Sequence, residues 1–270
     1  MYNLIKLEIS NCINNFRFKI MFSALLLINI INFLMTCNQY FDLTSNSVPV
    51  GYLMGILRGT TARSIFFFFL VTMPLIVSFI YSDSYYMDKK SGVYTSICMR
   101  GGRKNYIIAK LIVIGIISFA CVFFALFINE FLTFITFNNK GSSMQGVKIY
   151  EYESRYSDQE FLSYIEIYKP ILYKLILIFV NSLYGSFIAM FTYSISLISK
   201  ARGISIIALV SIGVFVLDIL ISKLGLGTKF SMLMYQQGGP GNITCFSILI
   251  VIWICLISII FIMGIKKNVI

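Results

Sequence analysis

The chain has 270 residues, 58% of them hydrophobic and only 12% charged, with a mean hydropathy of +0.85 and a formal net charge of +11. Soluble domains carry about 25% charged residues, so the composition excludes a soluble globular protein, and no segment has the mixed character such a domain needs. Histidine is absent; histidine-based acid–base catalysis, histidine metal sites and the commonest pH switch go with it.

Residues 1–19 set Leu4, Ile5, Leu7, Ile9, Ile13 and Phe16 among Lys, Asn and Glu, the pattern of an interfacial helix lying on a membrane; a solvated tail is the alternative. A basic stretch before an apolar run also resembles a signal peptide. No small-x-small cleavage site follows and five further apolar runs do, so it is read as a retained helix.

A membrane-crossing helix needs about 20 apolar residues. Six runs qualify, at about 20–37, 64–81, 107–130, 175–198, 203–221 and 244–265. Asn29 and Asn32 stand one turn apart in the first and share a face. Gly51, Gly55 and Gly59 precede the second at a spacing that lets helices approach closely, and Pro74 lies inside it. The fourth holds Asn181. Glu130 lies about 34 Å along the third helix from Ile107, and Asp218 is near the end of the fifth. Intramembrane polar groups are functional candidates by default, so Asn29, Asn32, Glu130, Asn181 and Asp218 are candidate substrate-pathway residues. Helix packing and wetted helix ends are the competing readings.

The segments between runs fix the orientation. With the N-terminus inside, the cytoplasmic side holds Lys6, Arg17, Lys19, Lys89, Lys90, Arg100, Arg103, Lys104, Lys110, Lys200, Arg202, Lys266 and Lys267, against Glu8, Asp83 and Asp88. That is a positive-inside bias with both termini cytoplasmic, and it removes nucleic acid as the explanation of the net charge. Residues 138–170 form an external loop with five acids, room for a short helix around 158–167, and a solvated-connector reading beside a substrate-contacting one. The six cysteines include no C-x-x-C pair, which argues against a zinc or redox motif. A disulfide between Cys37 and Cys245 near the outer face and scattered cysteines acting as small hydrophobes both remain open.

Sequence motifs for catalysis are missing. The chain has no G-x-x-x-x-G-K-[ST] to cradle nucleotide phosphates, no G-x-S-x-G and no H-E-x-x-H. The cytoplasmic loop 82–106 is the densest basic block. Asp88-Lys89-Lys90-Ser91-Gly92 precedes an apolar-periodic run of Val93, Ile97 and Met99, then Arg100-Gly101-Gly102-Arg103-Lys104, with Tyr106 and Lys110 entering the third span. An amphipathic coupling helix ended by the two glycines would lie along the membrane face.

At these residues the chain resembles the permease subunits of ABC-2 type ABC transporters: an acid after the second span, a glycine a few positions on, and a basic pair before an aromatic and a lysine entering the third. Asp88, Gly92, Arg103-Lys104, Tyr106 and Lys110 carry the resemblance, with Asp88 in place of the commoner glutamate and Gly101-Gly102 in place of proline. It implies an all-α integral membrane protein, a single transmembrane domain that pairs with a second permease subunit, the same or homologous. It also implies a separate ATPase subunit docked on the N-terminal helix and on a coupling surface of Asp83, Asp88, Lys89, Gly92, Arg100, Arg103, Lys104, Tyr106 and Lys110. This chain would then hold no cofactor and be no enzyme; ATP and Mg²⁺ would bind the partner. The expected function is export of an amphipathic or hydrophobic substrate, such as an antimicrobial peptide, a drug or a lipid. An ATP-independent carrier or channel, a membrane-embedded enzyme and a scaffold are the alternatives. Abundant Ile, Asn, Lys and Phe suggest an AT-rich genome and a bacterial plasma membrane.

Overall fold

The computed structural model describes residues 1–41, 54–57, 63–92, 94, 102–137, 161–199 and 203–269, all helix, turn or short connection apart from one isolated bridge residue. Gly51, Gly59, Val93, Ile97, Met99, Arg100 and Gly101, and most of the 138–170 loop, lie outside the described residues. Six helices are long and apolar enough to cross a membrane, as a multi-pass membrane protein requires.

Helix α1 (Tyr2–Asn14) turns Glu8 and Cys12 inward, one turn apart on a single face. Asn15 is extended (φ −69°, ψ 132°), and its side chain accepts the Arg17 N–H at 3.0 Å. An asparagine cap thus starts α2 (Phe16–Gln39). The expected helix over residues 1–19 is corrected in its bounds: it stops at Asn14, where Asn15 turns extended and caps the next helix, which takes in residues 16–19. Helix α2 buries Leu25, Asn29, Asn32 and Thr36, a stripe at helical spacing.

Helix α3 (Arg63–Tyr81) contains Pro74 and continues through a two-residue turn into α4 (Ser84–Lys90). Gly102, at φ +76°, takes a backbone conformation that favours glycine and opens α5 (Arg103–Thr136). At 34 residues that helix is about 51 Å long, well beyond the ~30 Å hydrocarbon core. A short α6 (Ser163–Tyr168) leads into α7 (Pro170–Ile198), whose first residue is proline, a favoured helix start. The fourth span therefore begins five residues earlier than the apolar run suggests and takes Lys174 into the helix.

Helix α7 is the hub. It packs on α3, α5, α8 (Gly203–Lys223) and α11 (Ile243–Val269). Gly185 admits a neighbour, since a Cβ there would sit 3.1 Å from a Val122 methyl. Two short helices, α9 (Gly227–Phe230) and α10 (Met232–Gln236), link α8 to α11. Helix α11 lies outermost, its middle anchored by Trp253, set among Tyr184, Phe187 and Phe191, and by buried Leu249 and Ile257 on either side.

Contacts sort the helix ends into two groups. Tyr193 of α7 donates to the Ile107 carbonyl of α5 at 3.3 Å, and Lys267 of α11 donates to the Ile198 carbonyl at 2.7 Å. These ends, with α1 and α4, form the α1 end of the bundle. The opposite, far end carries α6, α9 and α10. Cys37 and Cys245 are free thiols, so the disulfide their positions allowed is not formed.

Candidate functional site: a buried charge cluster at the α1 end

Lys110 is fully buried, 0% exposed, on the inward face of α5. A lone ammonium there would carry a penalty of several kcal/mol, and three elements converge to relieve it. Asp88 of α4 pairs with Nζ. Glu8 of α1, itself 1% exposed, brings Oε2 to 3.9 Å. The rings of Tyr81 and Tyr106 lie 5.3 and 5.0 Å from the charge, within cation–π range. The same tyrosines donate their hydroxyls to the carboxylates: Tyr81 to Glu8 at 2.7 Å and Tyr106 to Asp88. One cation, two carboxylates and two phenols thus tie α1, the end of α3, α4 and α5 into one joint.

Burial pushes the Glu8 carboxyl above its ordinary value of 4.5, although Lys110 and the Tyr81 hydroxyl pull the other way. One turn along, burial raises the Cys12 thiol to about 12, with Cys121 and Glu8 adding to the shift. A second ion pair flanks the joint: Arg17 of α2 holds Asp83, in the turn between α3 and α4. Gly203, which starts α8, packs so closely there that a Cβ would fall 2.6 Å from the Asp83 Cβ. A polar cleft of about 430 Å³, lined by Asn11, Asn15, Arg17, Asp83 and Asp88 among others, opens between α1 and α4.

The residues named from sequence therefore separate. Asp83, Asp88, Tyr106 and Lys110 are joint residues facing inward. Lys89, Gly92 and Lys104 are exposed, and Gly92 adopts φ +77°. Arg103 is half-buried, its guanidinium 5.6 Å from the Tyr94 ring centroid. Arg100 lies outside the described residues. The basic loop thus divides into a buried fastening and a surface available to a partner.

At the far end the five candidate pathway residues do not form one site. Asn129 of α5, which the sequence reading passed over, donates to the Asn29 carbonyl at 2.7 Å and the Asn32 side chain at 3.3 Å. It also accepts the Ile56 N–H at 3.0 Å. Asn29 and Asn32 thus serve to pack α2 on α5. Glu130 is paired with Lys174 across the α5–α7 contact. Asp218 holds the start of α10, accepting the Ser231 hydroxyl at 2.8 Å and the Met232 N–H at 3.0 Å. Asn181 donates to the Gln236 carbonyl at 3.1 Å. The side-chain amide of Gln236, fully buried, finds no hydrogen-bond partner at either atom.

Glu8 and Tyr81 are the functional candidates that sequence reasoning missed. A signal was present: Glu8 and Cys12 share one face of α1, so a carboxylate on the docking side called for a cation elsewhere, and Lys110 lies inside an apolar span. Among the described residues no group of three or more cysteines and carboxylates could hold a metal ion. No family model, curated protein or solved structure matches the chain.

Proposed function

We propose that this chain is the transmembrane permease subunit of an ATP-binding-cassette exporter of the ABC-2 type, moving an amphipathic or hydrophobic substrate out of the cytoplasm or membrane. In this reading the α1 end is cytoplasmic in a bacterial plasma membrane, both termini lie inside, and the chain pairs with a second permease and with a separate ATPase. The observation that carries the proposal is the joint at Lys110. A permease without a P-loop must receive its energy as movement, and movement reaches the spans only if surface elements are fastened to them. Here α4, which the resemblance assigns to the ATPase contact, is bound to α5 by charge-assisted hydrogen bonds at Asp88, the stronger class of such bonds, and α1 is held by the Tyr81 hydroxyl on Glu8 and by the longer Glu8–Lys110 ion pair. Exposed Lys89, Lys90 and Lys104, with Arg103 beside them, would meet acidic groups on the ATPase.

The test is permease-stimulated ATP turnover. The chain should co-purify with a P-loop ATPase from its native membrane, and R103E/K104E should abolish stimulated turnover while the protein remains in the membrane. Undiminished stimulation in that double variant, or no associated ATPase, rejects the assignment.

A further inference from the structure

The segment that carries α6 grips the bundle on one side and is uncovered on the other. On the inner side Phe161, 1% exposed, sets its ring 5.1 Å from that of Tyr235 in α10 and 5.2 Å from that of Phe246 in α11. Its N–H donates to the Gly239 carbonyl at 3.2 Å. On the outer side Tyr164 and Tyr168, one turn apart on α6, are 61% and 56% exposed. Their rings pack on each other with centroids 4.6 Å apart, and Lys169, also exposed, follows them.

Two observations place the uncovered side at a membrane surface. The first is depth. Helix α7 has 29 residues and is about 44 Å long, close to the ~40–45 Å of a bilayer counted with both head-group layers. Its last residue, Ile198, meets the Lys267 ammonium at the C-terminal end of α11, where a terminal cation belongs at the membrane boundary. With that end in one head-group layer, Pro170 and the adjoining α6 lie in the other. The second is continuity. Backbone hydrogen bonds from Lys169 to Ile165 and from Tyr173 to Lys169 bridge the junction between the two helices. The exposed tyrosines thus lead at helical spacing into exposed Leu172, Leu175 and Phe179, on the apolar surface of a membrane-crossing helix.

We propose that α6 is an interfacial anchor, with Tyr164 and Tyr168 lying among the phospholipid head groups of the far-end leaflet and the Lys169 ammonium against lipid phosphate. Tyrosine suits this depth because its ring is apolar and its hydroxyl polar, and a lysine stem carries its charge out to the polar layer. A solvated connector or a substrate-contacting loop, the two readings open from sequence, would leave both rings in water. A two-fold contact with a second copy would bring two Lys169 ammoniums together, whereas lipid phosphate offers the opposite charge. Because Phe161 holds α10 and α11, the anchor also ties the far-end connector to the membrane surface. It needs no ATPase, so its failure and the failure of the permease assignment are separate outcomes.

The full chain would be reconstituted in phosphatidylethanolamine–phosphatidylglycerol vesicles as Tyr164→Trp, Tyr168→Trp or Phe179→Trp. Each is read as the emission added to that of Trp253, the chain's one tryptophan. Lipids spin-labelled at the head group should quench most of the added emission at 164 and 168. Lipids labelled deep in the acyl chain should instead quench position 179, about 14 Å below the start of α7. Aqueous iodide should reach 164 and 168 less than it reaches free tryptophan, and Tyr168→Ser added to Tyr164→Trp should increase that access. Full quenching of 164 and 168 by iodide with no effect of either lipid label overturns the proposal. So does failure of all three quenchers at those positions, which would mean that protein covers the face.

Discussion

The two ends of the bundle fasten helices by different chemistry. At the α1 end the contacts are ionic: Lys110 with Asp88 and Glu8, and Arg17 with Asp83. At the far end α2 meets α5 through neutral amides, Asn29, Asn32 and Asn129, and the one charged pair among the described far-end contacts, Glu130 with Lys174, joins α5 to α7 instead. Neutral hydrogen bonds between membrane helices contribute only about 0.6 kcal/mol on average and loosen when either partner changes. A buried charge cluster is different. Its net worth over an apolar core is small, but removing one member strands the others. The Lys110 joint is therefore all-or-none where the α2–α5 contact at the far end is graded.

The largest expected effect breaks the ionic joint. Lys110→Met leaves Glu8 buried, and Asp88 part-exposed near it, without a cation and should destabilise the α1 end by up to about 3–5 kcal/mol. Thermal melting in detergent measures the loss. Cys12, docked against α5 with its thiol pushed up to about 12, supplies a local readout: a maleimide reagent at neutral pH should reach it in the variant and not in the parent protein. A variant that melts like the parent and protects Cys12 removes the joint from the account.

The amide contact should break more gently. Asn129→Leu deletes its bonds to Asn29, Asn32 and the Ile56 N–H at similar volume, for a loss of about 1–2 kcal/mol. Cys12 should stay protected, because the change is confined to the far end. A loss equal to that of Lys110→Met, in the same melting assay, would erase the distinction between the ends.

The smallest effect concerns Glu8 alone. Because its carboxyl titrates above 4.5 in the folded protein, the folded state holds the proton more tightly than the unfolded chain. Stability should fall as pH rises from about 4.5 through the folded value. Glu8→Gln keeps an acceptor for Tyr81 and lacks this titration, so the melting temperature of the parent should decline relative to the variant across that window. The gap should be smaller than the loss in Asn129→Leu, read in the same melting assay. A gap that widens toward acid instead would mean that the Lys110 charge outweighs burial.

The six spans were legible because apolar length is a local property, and each run led to a helix. Helix ends were less so: α5 begins at Arg103 and α7 at Pro170, since polar residues extend a helix once their charges find partners. Those partners were the illegible part. Glu8 and Lys110, or Glu130 and Lys174, are far apart in the chain and joined only by packing, and nothing local to either residue names the other. Asn129 escaped notice beside the more conspicuous Glu130, although it is the amide that α2 grips.

One consequence of the length of α5 concerns geometry. Lys110 and Glu130 are 20 positions apart on a single helix, so about 30 Å separates them, and no proline interrupts the rod between them. A swing of about 10° pivoting at the lysine would carry the glutamate sideways by about 5 Å. Such a shift exceeds the reach of the bonds at Asn129 and of the ion pair with Lys174. Any rocking imposed at one mouth of the bundle is thereby converted into parting of contacts at the other, with the lever arm supplied by one uninterrupted helix.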